Sequence, residues 1–255
     1  MNISPDIRDV LRDWPYDPEK CVRIIAGAGG REILQVRTPV GLEQFELTGR
    51  PDGRQPHEHE SAFDYQRARF DETQTAGTPA AFHLTHAECV ELFEEGILYY
   101  FRYLHLFQIE DWTRTIRDTM RNLQLFDFVQ QHAQRKEDRE HLEQWRPYLL
   151  RIHAIARAML EIAEHAHERA LVVLKEAVTA IEELADQDNE TFDTERARSL
   201  QALRETIERI DNARPKSTLE TLELQLHEAV EAQAFERAAA LRDKIRTLRT
   251  GSVTG

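Results

Sequence analysis

Cysteine is almost missing from this chain: Cys21 and Cys89 are far apart in sequence and lack C-x-x-C spacing. That excludes a disulfide framework and a thiolate zinc site, and both read as ordinary thiols of a reducing compartment. Long apolar runs are missing as well. The longest aliphatic stretch, Ala170 to Leu174, falls far short of the roughly 20 residues a membrane-spanning helix needs. The start, "MNISPDIRDVLRDWPYDPEK", has no apolar core of signal-peptide length, so the expected location is the cytoplasm, with no membrane partner. Positive charge is scarce: 33 Lys and Arg stand against 46 Asp and Glu, a formal net charge of −13. So acidic a surface repels phosphate backbones and gains little from counterion release, which disfavours direct nucleic-acid binding.

Helix breakers are few, and most of the ten glycines and nine prolines precede Ala81. With 41% hydrophobic and 31% charged residues, the composition is that of a folded, helix-rich chain. Ser4-Pro5 reads as a helix start, with Ile7, Val10, Leu11 and Trp14 at helical spacing. From Cys21 the pattern turns to short β-prone runs, "CVRII", "REILQVRT" and "LEQFELT", separated by turn residues, a three-strand meander. Leu34 with Val36, and Phe45 with Leu47, would each share a strand face. A sheet this small needs a cover, and the expected cover is a helix over Glu60 to Phe70.

Thr85 and Glu88 form a capping box, after which Cys89, Leu92, Phe93, Ile97, Tyr100, Leu104 and Phe107 trace an apolar helical stripe. Trp112, Ile116, Met120, Leu123 and Phe126 fit an antiparallel partner. The charged stretch "QRKEDREHLEQWRP" reads as a solvated connector to a second hairpin, with Tyr148, Leu149, Ile152, Ile155, Ala156 and Met159 on one helix and Ala170, Leu171, Leu174, Ala177, Val178, Ile181 and Leu184 on the next. A helix from Thr194 to Ile210 follows, before "ARPKS" breaks it. The fold expected is mainly α (α+β), in three parts: residues 1–82, a helical domain over 83–213, and a C-terminal hairpin over 216–250.

That hairpin begins at a Ser217–Glu220 capping box. Leu222, Leu226 and Val230 line its first helix, and Phe235, Ala238, Leu241, Ile245 and Leu248 its second. Alanines 238–240 permit close backbone approach. Charge is sorted between the two: Glu220, Glu223, Glu228 and Glu231 on the first, Arg237, Arg242, Lys244, Arg246 and Arg249 on the second. Some thirty residues seldom hold a self-sufficient core, so the apolar side is expected to dock on something. Leu222, Leu226, Val230, Phe235, Ala238, Leu241, Arg242, Asp243 and Ile245 are the candidate partner-binding residues.

"LETLELQLHEAVEAQAFERAAALRDKIRTL" resembles the UVR motif, the hairpin at the end of UvrB, within UvrC and in the McsA and ClpC class of stress-regulatory proteins. The resemblance rests on Ala229-Val230, Phe235-Glu236, Ala238-Ala239, Leu241-Arg242-Asp243 and Ile245. It implies a protein-protein contact device without chemistry, docking a regulatory partner, another UVR-containing protein or a second copy. "IEDWTRTIRDTMRNL" and "AEHAHERALVVLKEAV" superpose with Trp112 over His167, Thr115 over Ala170 and Leu123 over Val178. Each resembles the second half of a tetratricopeptide repeat, although the copies lie 55 positions apart against a family period near 34. The order of the whole chain is similar to that of a group of bacterial UVR-motif proteins.

The expected function is therefore a non-enzymatic adaptor using a tetratricopeptide-like groove and a UVR hairpin, with no cofactor. One alternative is an accessory factor of nucleotide-excision repair recruited by UvrB or UvrC. Another is a metal-binding enzyme centred on His57, His59 and Glu60, with His83 and His86 as further imidazoles. Alternating residues of an extended strand point to opposite sides, however, and no third ligand at fixed spacing is evident, which favours a loop-ordering role. "GAGG" at Gly27 to Gly30 lacks the P-loop lysine and leads into a strand, so it reads as a turn.

Overall fold

The computed structural model describes residues 6–77, 82–214, 216 and 218–251. The chain divides into two compact units, Met1–Glu208 and Arg209–Gly255. The first opens with α1 (Arg8–Asp13); Ser4 and Pro5, the expected start signal, lie outside the described residues. An antiparallel meander follows, β1 (Val22–Ala26), β2 (Glu32–Thr38) and β3 (Gly41–Glu46), in the order β1-β2-β3. Gly27 to Gly30 is the hairpin turn. Gly27 N–H donates to the Arg31 carbonyl at 2.7 Å, and Gly29 and Gly30 adopt φ of 73° and 78°, which residues with a Cβ resist.

Register places Leu34 opposite both Ile24 and Phe45. Leu34, Val36, Phe45 and Leu47 then form one apolar face, as their alternation predicts, with Val22 and Ile24 beside them. The cover is not the expected helix. Leu106 and Ile109, at the end of α3 (His86–Gln108), close this small core. The helix meant for that role, α2 (Ala62–Thr75), buries Ala62 and Phe63 in the larger helical core instead. Length explains the exchange: 23 residues give α3 a span of about 35 Å, enough to serve both cores, whereas α2 is apolar mainly in its first turn.

α3 starts at the expected Thr85–Glu88 capping box. It pairs with α4 (Trp112–His132), α4 packs on α6 (Arg146–Ala163), and α6 on α7 (His167–Glu182). Leu92, Leu123, Leu125, Phe126, Leu149 and Ile152 meet in the common core of α3, α4 and α6. The apolar stripes read from periodicity are rotated in the structure: Ile97 and Met120 face outward, while Glu95, Arg102 and Asp118 are buried. Nor is the charged connector solvated. It folds into α5 (Lys136–His141) and a 3-10 turn, and buries Asp138, Leu142 and Glu143. Burial is possible because His86 Nδ1 lies 2.8 Å from Asp138, and Arg146 donates twice to Glu143, at 2.5 and 2.6 Å. α8 (Glu190–Ala213) is longer than expected, since the Asn189 side chain accepts from Thr191 N–H at 2.8 Å and draws buried Phe192 into the first turn.

Buried charge locks the meander to the helices. Arg102 donates to Asp118 at 2.7 and 2.8 Å and to the Glu46 and Gly49 carbonyls, both at 2.8 Å. Glu95 accepts from Ala62 and Phe63 N–H at 2.8 and 3.0 Å, capping α2 from another helix, and pairs with Arg121 and Arg50.

Candidate functional site

The second unit holds α9 (Thr218–Glu231) and α10 (Phe235–Gly251). The expected Ser217–Glu220 box rests on Ser217, which lies outside the described residues. The turn between the two helices is well defined. Gln233 sits in the left-handed region at φ 56°, its N–H bonded to the Val230 carbonyl at 3.0 Å, and Ala234 N–H reaches back to Ala229 at 2.8 Å. This is a Schellman-type helix end. Ala229, Ala238 and Leu241 form the seam, with Leu222 and Leu226 packed against it. The small alanines let the two backbones close.

The same turn occurs twice in the first unit. Glu110 (φ 62°) and His165 (φ 58°) take the left-handed position, and Asp111 and Ala166 N–H groups reach back five residues to Leu106 and Glu161, both at 2.9 Å. In all three hairpins the next helix begins two residues after the left-handed one, at Trp112, His167 and Phe235. A small residue is then buried three further on, at Thr115, Ala170 and Ala238. The sequence superposition of Trp112 on His167 and Thr115 on Ala170 is thus matched in geometry.

Residues 216–251 match the UvrB/uvrC motif. No curated protein and no solved structure matches the chain. The match covers both helices of the second unit, so that hairpin carries the UVR motif.

Within the UVR hairpin the nine candidate residues divide. Ala238 and Leu241 are buried and Leu222 and Leu226 half-buried in the seam, so these hold the hairpin itself, and Ile245 is buried too. Val230 is 52% exposed and Phe235 71% exposed. Arg242 and Asp243 are exposed too, with Asp243 3.0 Å from Arg246. Leu224, which the periodic reading passed over, is another exposed apolar residue of α9. Its signal was present, because a third leucine between Leu222 and Leu226 cannot face the same seam.

His57, His59 and Glu60 do not lie on a strand. Pro56–Glu58 is a 3-10 turn, with His57 and Glu58 in the left-handed region. His57 Nε2 bonds to Glu91 at 3.0 Å while its ring stacks on Tyr65 at 4.3 Å, and His59 Nδ1 donates to the His57 carbonyl at 2.8 Å. His83 is exposed and His86 is engaged by Asp138. Among the described residues no group of three or more His, Cys, Asp or Glu is placed to hold a metal ion, and no helix is long and apolar enough to cross a membrane.

The first unit also contains a cavity of about 480 Å³ between α3, α4, α6 and α8. Tyr103, Asn122 and Leu149 form its floor, and Ile97, Phe101 and Trp145 stand at its mouth. Sequence reasoning set Ile97, Tyr100 and Tyr148 on apolar helical stripes and Trp145 in a solvated connector, because spacing cannot tell a filled interface from an open one.

Proposed function

We propose that this chain is a non-enzymatic adaptor whose UVR hairpin docks onto a second apolar helix pair, either a partner's UVR hairpin or that of a second copy. The observation that carries the reading is Phe235, exposed at the tip of a unit too small to spend a large aromatic on solvent. Val230 and Leu224 are further exposed apolar residues of the hairpin, and Phe235 with Val230 would supply most of the affinity. Charge supports pairing of like with like: α9 carries Glu223, Glu228 and Glu231 and no Lys or Arg, whereas α10 carries Arg237, Arg242, Lys244 and Arg246. Two such hairpins related by a two-fold axis set acid against base at both ends, which fixes register and speeds encounter. The tetratricopeptide-like reading of the middle rests on the shared turn and on the buried Thr115 and Ala170, and would give the adaptor a second recognition surface.

The test replaces Phe235 and Val230 by Asp in the full chain. Light scattering and capture by an immobilised UVR hairpin are expected to show loss of association while helicity is unchanged. Retained association would overturn the proposal. The motif match also supports a narrower reading, an accessory factor of excision repair, which requires that the captured partner be a UvrB/UvrC-type protein. Failure to bind either would remove that reading alone.

A further inference from the structure

The cavity in the first unit has a chemistry of its own, independent of the hairpin. Its walls are aromatic: Tyr100 lies 6.0 Å from Tyr148, and Phe101 5.3 Å from Tyr100, ring centre to ring centre. Its volume falls within the range of small-ligand pockets, which are mostly apolar with a few polar groups that orient the occupant. Ile97, Phe101 and Trp145 at the mouth are 52%, 42% and 43% exposed, unusual for three large apolar residues around one opening.

Arg151 decides the class of occupant. It is half-buried and lies over the Tyr148 ring at 5.1 Å, and among the described residues no carboxylate is within ion-pairing reach of it. Arg114, Arg121 and Arg146, similarly sheltered, each hold a carboxylate. The other cation lining the cavity, Arg198, is neutralised by Glu195 at 2.8 Å. An arginine fork held on an aromatic face with its donors unused suits a carboxylate or sulfonate in two-point contact. Burial raises the Tyr148 phenol above its ordinary range, so it stays uncharged beside that anion.

We propose that this cavity binds a small amphiphilic acid, with an aromatic or aliphatic body between Tyr100, Phe101 and Trp145 and a single anionic group on Arg151. Two probes of nearly the same hydrocarbon separate the parts of the claim: 8-anilinonaphthalene-1-sulfonate and the uncharged N-phenyl-1-naphthylamine, titrated into the full-length protein. The sulfonate is expected to bind one to one and to be displaced by dodecanoate. Arg151→Gln should weaken the sulfonate about tenfold and leave the neutral probe unchanged, and Phe101→Glu should weaken both. Both residues are at the surface of the cavity, and a circular dichroism melt matched to the parent checks that each variant is folded. Non-saturable binding, equal weakening of both probes by Arg151→Gln, insensitivity to Phe101→Glu or failure of dodecanoate to compete would each overturn the proposal. The last outcome would point to a polypeptide segment as the occupant instead.

Discussion

Arg102 and Asp118 meet as a two-point ion pair on facing helices, each side chain only 1% exposed. In water such a pair would contribute little; here each partner is the other's solvation. Arg102 also holds the Glu46 and Gly49 carbonyls, so one side chain ties the end of β3 to two helices at once. Asp118→Ala is expected to cost about 3–5 kcal/mol in urea unfolding, because it strands a buried guanidinium. The double variant Arg102→Met, Asp118→Leu should recover part of that loss.

The UVR hairpin should separate stability from docking. Leu241 is buried in the seam beside Ala229 and Ala238, whereas Phe235 is exposed. Leu241→Asp is expected to unfold α9 and α10 and lower helicity, while Phe235→Asp leaves helicity in place. Hydrogen exchange resolved over residues 218–251 distinguishes the two outcomes.

Three hairpin turns place a residue with a Cβ in the left-handed region, at Glu110, His165 and Gln233. Glycine removes the steric cost there, so Glu110→Gly should stabilise the first unit by up to about 1 kcal/mol. A rise in the thermal midpoint checks it; a fall would mean that the Glu110 side chain makes contacts worth more than the strain.

His153 is buried with Nδ1 2.9 Å from Thr119 Oγ1, and burial, with a smaller contribution from Arg157, pushes its pKa down to about 4. The unfolded chain takes up this proton near pH 6.5 and the folded chain near 4. The unfolded state therefore binds more protons between those values, and stability falls as pH drops through the window, by about 3 kcal/mol at its foot. Denaturation midpoints at pH 7, 5.5 and 4.5 should decline less steeply in His153→Leu than in the parent.

The two thiols should differ in reactivity. Cys89 is fully buried, and burial, with Asp138 and Glu88 adding to it, pushes its thiol up to about 12, while Cys21 is partly exposed. Iodoacetamide at pH 8 is expected to label Cys21 alone in the native chain and both in urea, as read by mass spectrometry.

What sequence pattern could reveal here was local chemistry. Leu34 and Val36 alternate, so their strand and its inner face were legible. Thr85 and Glu88 cap each other within one turn. Phe235 opens α10 because a three-residue turn sets its own geometry. The helix faces were less legible, because spacing treats Glu95, Arg102 and Asp118 as solvent-facing polar residues. Their partners come from 16 to 56 positions away, and no local pattern records such a distance.

The sequence by itself determined the three strands and the longer helices, where the hairpins turn, and that the C-terminal hairpin carries the UVR motif, since each depends on residues within a few positions of one another. Only the tertiary structure decided that α3 rather than α2 covers the sheet and that a charged connector could be buried. It also decided that Leu241 closes a seam while Phe235 stays outside, and that Arg151 lines a cavity without a carboxylate. Burial and charge pairing are properties of the neighbours a side chain meets, and those neighbours are chosen by packing across the whole chain.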